Sequence, residues 1–172
     1  MLWCKVADQV VENGGTSPVL SVEPPHSIAQ ARVDDKGRLK LPAEFLEYLK
    51  KLGVDKVFIT TVDLELARIY PISVWKANEN LFSNAGDLAE QAEDVAYIAK
   101  YYGGDSDIDA QGRVLVPTEL RRKLGLESQP VWLDCYNGRI NVAGKSVHEA
   151  RFHRAMANLG EKVKTLEKKG LK

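Results

Sequence analysis

The same thirteen-residue pattern occurs twice in this chain, 75 residues apart. Arg32-Val33-Asp34-Asp35-Lys36-Gly37-Arg38-Leu39-Lys40-Leu41-Pro42-Ala43-Glu44 aligns without gaps on Asp107-Ile108-Asp109-Ala110-Gln111-Gly112-Arg113-Val114-Leu115-Val116-Pro117-Thr118-Glu119. Asp, Gly, Arg, Pro and Glu recur identically, and the apolar positions 33, 39 and 41 are matched by 108, 114 and 116. The echo continues into Leu49-Lys50-Lys51-Leu52-Gly53-Val54 and Leu120-Arg121-Arg122-Lys123-Leu124-Gly125-Leu126, with a small shift. A chain built this way carries two copies of one supersecondary unit, and any fold proposed for it must place both.

Local chemistry defines the unit. The alternation of Ala31 and Val33, then Leu39 and Leu41, predicts two half-buried strands. The Asp-x-x-Gly between them fits a tight turn, with Asp favoured at its first position and Gly at its last. Pro42 and Pro117 suit the first helical turn, and Glu44 and Glu119 complement the helix N-terminus. A helix of about 8 to 10 residues is expected in each copy, stopping at Gly53 or Gly125. Strands follow at Lys56–Val62 and Leu66–Pro71 in the first copy, and at Pro130–Cys135 and Arg139–Val142 in the second. The predicted unit is ββαββ, in an α+β fold.

Flanking segments complete the organisation. Residues 1–27 read as an N-terminal extension, with a possible strand near Val19–Val22; residues 28–72 hold the first repeat and 105–144 the second. Residues 73–104, with Leu88, Ala92, Val95, Ala96 and Ala99 at helical spacing, predict one or two linker helices. In residues 145–172, Phe152, Met156, Leu159, Val163 and Leu166 step by 4, 3, 4 and 3, so one basic amphipathic helix is expected. Docking on its own domain, a subunit contact and a basic arm near DNA are its three open roles.

Composition narrows the class. With 44% apolar and 28% charged residues the chain is globular in type, and no run of about 18 apolar residues marks a membrane span. Met1–Val6 has no long apolar core, so no secretory signal is expected and a cytoplasmic protein is the default. Cys4 and Cys135 lack metal-knuckle spacing and read as reduced thiols. The 24 bases balance 24 acids, which excludes coating nucleic acid by bulk charge. Residues 1–27 hold one base and three acids, 28–144 fifteen and eighteen, and 145–172 eight and three, so only the tail has a basic excess.

The doubled Asp-x-x-Gly-Arg-x-x-x-Pro pattern, with Ile69-Tyr70-Pro71 after the first copy and a helical linker between, resembles the MraZ family of bacterial transcriptional regulators over about residues 28–144. Each repeat is similar to the SpoVT/AbrB swapped-hairpin type. The resemblance implies an intrachain pseudo-dimer barrel of the two repeats. It also implies a ring-like homo-oligomer that binds double-stranded DNA at promoter direct repeats upstream of the division and cell-wall gene cluster, in the cytoplasm on the nucleoid.

Side-chain rows make the DNA reading specific. A strand pair can present alternate side chains to a groove. In copy one the row is Arg32, Asp34, Lys36, Arg38 and Lys40, with four bases; in copy two it is Asp107, Asp109, Gln111, Arg113 and Leu115, with one. Copy one is therefore taken as the reader. Arg38 suits a guanine edge and Lys36, Lys40 and Arg32 suit phosphates, with Arg113 a possible second contact. The competing role for each arginine is an ion pair with Asp34 or Asp109 in its own turn, which the acidic row favours for Arg113. Gly37 and Gly112 are structural on either reading.

Other signals are weaker. Asp105 to Val116 begins like a calcium loop but has Ala110 at position six and Val116 at twelve, so no metal is expected. His148 and His153 are five apart, off the spacing for two ligands on one helix face. No phosphate loop or catalytic grouping emerges, so neither an enzyme nor a cofactor is expected. Two alternatives remain beside the regulator: a ring-forming scaffold that has lost DNA binding, and an antitoxin-like AbrB regulator.

Overall fold

The computed structural model describes residues 21–172. In chain order its elements are β1 (Ala29–Arg32), β2 (Arg38–Lys40), α1 (Ala43–Lys51), β3 (Lys56–Thr60), β4 (Leu66–Pro71), α2 (Ile72–Ser83), a 3-10 turn at Gly86–Leu88, and α3 (Ala89–Tyr102). The second copy follows as β5 (Gly104–Asp107), β6 (Arg113–Leu115), α4 (Thr118–Lys123), β7 (Pro130–Tyr136) and β8 (Arg139–Ala143), and the chain ends in α5 (Lys145–Met156) and α6 (Leu159–Glu167). The α+β class and the ββαββ order agree with the sequence reading.

The two copies exchange strands. β1 of the first copy pairs antiparallel with β7 of the second, and β5 of the second pairs with β3 of the first. With the hairpins β3–β4 and β7–β8 and the central pair β4–β8, this gives a six-stranded sheet in the order β1-β7-β8-β4-β3-β5. The order is unchanged when the copies are interchanged, so an approximate twofold axis runs between β4 and β8. β2 and β6 form a separate two-stranded ribbon, register Arg38 to Leu115, Leu39 to Val114 and Lys40 to Arg113.

Alternation sorts the side chains. Val57, Ile59, Ala67, Ile69, Val131, Leu133, Ile140 and Val142 face one side of the large sheet and are buried. They meet Leu39, Leu41, Val114 and Val116 from the ribbon and Phe45, Leu49 and Leu120 from the short helices in one cluster drawn from both copies. On the opposite face Tyr70, Trp75 and Ala99 form a second cluster with Phe58 and Phe82, joining α2 and α3 to the sheet. Trp75 stacks on Phe58 with ring centroids 4.4 Å apart. Burying a large apolar side chain contributes about 1.5–3 kcal/mol, so neither copy could keep its core without the other.

Four expectations need correction. The strands do not close into a barrel among the described residues: Val33, just after β1, meets β2 only in an isolated bridge to Leu39, so ribbon and sheet stay separate, with β1 and β5 as sheet edges. The tail is two helices, because Ala157 is extended and Asn158 takes the left-handed conformation at φ 53°, which Asn tolerates better than most residues. Helix α4 has six residues, shorter than expected, while α1 has nine. Of the strand expected near Val19–Val22, Val19 and Leu20 lie outside the described residues and Ser21 and Val22 are in no strand.

Gly37 and Gly112 tie the copies together. Both have positive φ, +80° and +72°, and each lies under a side chain from the other copy's helix. A Cβ on Gly112 would stand 2.4 Å from Leu46 Cδ2, and one on Gly37 would stand 2.1 Å from Arg121 Nη1. Leu46 and Arg121 are themselves 75 positions apart, equivalent sites with different residues. Gly53 also has positive φ, but it faces open space. A left-handed non-glycine costs about 1–2 kcal/mol and overpacking about 1–3 kcal/mol more. Gly112→Ala is therefore expected to lower the unfolding free energy by about 2–4 kcal/mol and Gly53→Ala by about 1–2 kcal/mol, measured by urea titration; equal losses would mean that Leu46 yields freely.

Candidate nucleic-acid interface

The ribbon is the centre of the candidate site. Leu39 and Val114 point into the core with no exposure, so Arg38, Lys40, Arg113 and Leu115 face outward. Backbone bonds beyond the ladder, Val116 N–H to the Gly37 carbonyl at 2.9 Å and Leu41 N–H to the Gly112 carbonyl at 3.0 Å, extend the pairing to both turns. Five residues of each strand then span about 13 Å between the two turns, at about 3.3 Å per residue. A two-stranded ribbon is of a size to enter the major groove.

The turns are built alike. Asp34 O accepts from Gly37 N–H at 3.0 Å, and Asp34 N–H donates to the Arg38 carbonyl at 2.9 Å; Asp109, Gly112 and Arg113 repeat this at 2.9 and 3.0 Å. Asp34 Oδ1 accepts from the backbone N–H of Lys36 (3.0 Å) and of Arg38 (2.8 Å), while its Oδ2 accepts from Arg38 Nε at 2.8 Å. Asp109 makes the same three bonds, with Gln111 N–H, Arg113 N–H and Arg113 Nε, at 2.9, 2.9 and 2.7 Å. The sequence reading separated a DNA-reading Arg38 from a paired Arg113. In the structure both are paired, and in the same way.

Pairing across copies also changes the charge argument. The register places Lys40 beside Arg113 and Leu115 beside Arg38. Lys40 Nζ donates to the Gln111 carbonyl in the second turn. Arg32, exposed at the end of β1, borders one open cleft with Lys40, Leu41 and Pro42. Lys40 of copy one therefore serves the turn of copy two, and the acidic row of the second copy is not an isolated surface. Lys36 is exposed at the tip of the first turn.

Arg121 is a site residue that the sequence reading missed. Its Nη1 donates to the Val116 carbonyl at 2.6 Å and its Nε to Glu127 Oε1 at 3.2 Å, holding the guanidinium over Gly37. The only signal was its equivalence to Leu46, and that has meaning only once the strand exchange is known. Cys135 is half-buried, and desolvation pushes its thiol up to about 11, which favours the protonated thiol at neutral pH.

An ion pair inside a turn need not compete with DNA. Asp34 engages the Nε edge of Arg38 together with Nη2 (2.7 Å), which leaves further guanidinium N–H groups outward on a side chain held in one direction. The carboxylates show the coupling. The Arg38 side chain first, then its backbone N–H, holds the Asp34 carboxyl below its ordinary value; for Asp109 the Arg113 backbone N–H is the larger cause and its side chain adds to it. A carboxylate depressed in the folded state stabilises fully above the unfolded value of about 3.9, and that stabilisation is lost as pH falls through the lower folded value. The double variant Asp34→Asn with Asp109→Asn is thus expected to have a flatter decline of the urea midpoint below about pH 4 than the parent chain, and an unchanged decline would mean that neither turn contributes.

No family model matches the chain. Its curated relatives are described as transcriptional regulators of one family. The chain is 32% identical over 125 residues to the transcriptional regulator MraZ of Acetivibrio thermocellus, covering 70% of this chain and 81% of that protein. It is 28% identical over 140 residues to that of Solidesulfovibrio magneticus, covering 81% and 91%. With the MraZ of Acidobacterium capsulatum it shares 39% identity over 90 residues, 52% of this chain and 62% of that protein, so this match spans less than two thirds of the relative. On this evidence the chain belongs to the MraZ family.

Proposed function

We propose that the chain is a sequence-specific DNA-binding transcriptional regulator whose β2–β6 ribbon enters the major groove. The observation that carries the reading is the outward face of the ribbon, where Arg38 and Arg113 are each oriented by an aspartate in their own turn and Lys40 stands beside Arg113 at the second turn. Arg38 reads a guanine edge and Arg113 a second one about a ribbon's length away; Lys36, Lys40 and Arg32 take phosphates. The relatives' description as transcriptional regulators supports a regulator and not an enzyme.

The finer parts of the reading are proposals of the same standing. The domain division is an extension at 1–27, repeats at 28–72 and 105–144, a linker at 73–104 and a tail at 145–172, the repeats being of the swapped-hairpin SpoVT/AbrB type. The target is the promoter of the division and cell-wall gene cluster, the protein acts in the cytoplasm on the nucleoid, and several copies associate in a ring. Association matters energetically, since linked sites raise effective concentration and multiply individually weak contacts.

The test is a titration of a labelled duplex from upstream of the chain's own gene against a scrambled duplex, over a range of salt. Arg38→Ala and Arg113→Ala are each expected to lose about 1–3 kcal/mol of discrimination between the two duplexes. Lys36→Ala and Arg32→Ala are expected to weaken both duplexes equally and to reduce the salt slope by about one. A loss from Arg38→Ala alone would confine reading to the first turn. Absence of binding at low salt by a chain that still self-associates would leave the interaction scaffold as the function.

A further inference from the structure

The two copies fill the outer face of the large sheet differently. Ser73-Val74-Trp75 at the start of α2 is matched by Ser146-Val147-His148 at the start of α5. The sheet register carries the match on to the strands, because Phe58 stands opposite Tyr70 in the first hairpin and Trp132 opposite Ala143 in the second. In the first copy four rings fill the space. Trp75 stacks on Phe58 with centroids 4.4 Å apart and lies 5.2 Å from Tyr70 and 6.1 Å from Phe82, and α3 closes over it with Ala99. In the second copy the stack persists, His148 lying on Trp132 with centroids 4.0 Å apart and planes 3° from parallel. The positions of Tyr70 and Phe82, however, are taken by Ala143 and Ala155. Two rings are missing, and a cavity of about 280 Å³ stands in their place.

Three segments wall the cavity: Pro25–Ile28 ahead of β1, the outer face of β7 and β8, and α5. Trp132, His148 and Phe152 give it aromatic sides. An acid and a base border it as well. Asp134 is half-buried in β7, and its side chain has one hydrogen bond among the described residues, a long one of 3.4 Å from Asn141 Nδ2, so lone pairs remain for another donor. Arg151, exposed on α5, has no ion-pair partner among the described residues. Val22 packs against the main cluster, on the other face of the sheet, so the described chain ahead of Pro25 leads away from the cavity.

We propose that this cavity is a binding site for a small planar aromatic carboxylate with a ring N–H. Its ring takes the space that Tyr70 and Phe82 fill in the first copy, its carboxylate meets Arg151 and its N–H donates to Asp134. Each part follows from what lines the space. Aromatic walls favour offset-stacked and edge contacts with a further ring. A guanidinium grips a carboxylate through two parallel N–H groups. Apolar walls with a few convergent polar groups are the common make-up of a small-molecule pocket, and this volume lies at the small end of such pockets, which limits the occupant to one or two rings. The cavity is on the sheet face turned away from the β2–β6 ribbon, so the site goes beyond the DNA reading and leaves that face open. The first copy's rings close the equivalent space, so one molecule binds per chain.

The experiment is a calorimetric titration of the full chain with indole-3-acetate, with indole as a second probe. The parent chain is expected to bind one indole-3-acetate and to bind indole about 10-fold more weakly, the effect of one charge-assisted contact. Arg151→Gln is expected to weaken indole-3-acetate by about 10-fold and to leave indole unchanged. Ala143→Tyr and Ala155→Phe put back the rings of the first copy, and each is expected to weaken both probes by about 10-fold or more with an unchanged circular dichroism spectrum. Ala155 is exposed, so its variant decides the matter if Ala143→Tyr does not fold. Parent affinity for indole-3-acetate in Ala155→Phe overturns the proposal by placing the ligand elsewhere. Parent affinity in Arg151→Gln overturns the choice of an acid. A parent chain that shows no saturation at millimolar indole-3-acetate overturns the site itself, and protection of α5 amides from hydrogen exchange in that chain would assign the space to a segment of the chain.

Discussion

The pairing of β2 with β6 is the contact on which the rest of the molecule depends. Only three residues of each strand are in the ladder, yet Leu39 and Val114 are wholly buried at its centre, and the turns on either side are joined to it by further backbone bonds. Without the ribbon, Gly37 and Gly112 would lose the helix side chains that cover them, and the arginines after the glycines would lose their common face. The exchange of β1 and β5 across the large sheet has the same consequence for the main core, since that apolar cluster contains residues from both copies. The chain is therefore one cooperative unit, although its sequence is two.

Fold and candidate site depend on the same few side chains. Asp34 uses one oxygen to close the turn through two backbone N–H groups and the other to hold Arg38. One carboxylate thus shapes the loop and aims the cation, and a fixed guanidinium gives up less rotamer freedom on binding than a free one. This arrangement gives the ribbon a defined pattern of donors with a net charge of zero over the whole chain, and bulk attraction to DNA is not required.

Much of this was legible in sequence because it is local. The Asp-x-x-Gly turns, the prolines at the helix starts, the glycines at 53 and 125 and the alternation in the strands are each set by backbone sterics within a few residues, and each stands where the pattern places it. What was illegible is which strand pairs with which. Reading rows within one copy placed Lys40 with Arg38; hydrogen bonding across copies places it with Arg113. The continuous tail helix failed for a related reason, because a heptad pattern records side-chain spacing and not the backbone break at Asn158. The echo of α2 in α5 was present in the letters Ser-Val, but the aromatic stack that gives it meaning joins Trp to Phe in one copy and His to Trp in the other.

The inequality of Leu46 and Arg121 has a consequence for direction. Two identical chains around a true dyad present the same residue twice and match inverted half-sites in DNA. Here the equivalent positions lie in one chain and have separated, with leucine over one turn, a guanidinium over the other, and, among the described residues, a helix closing over Trp75 with no counterpart over His148. The molecule thereby acquires a front and a back. An object with that polarity cannot be turned end for end without changing which residues it presents.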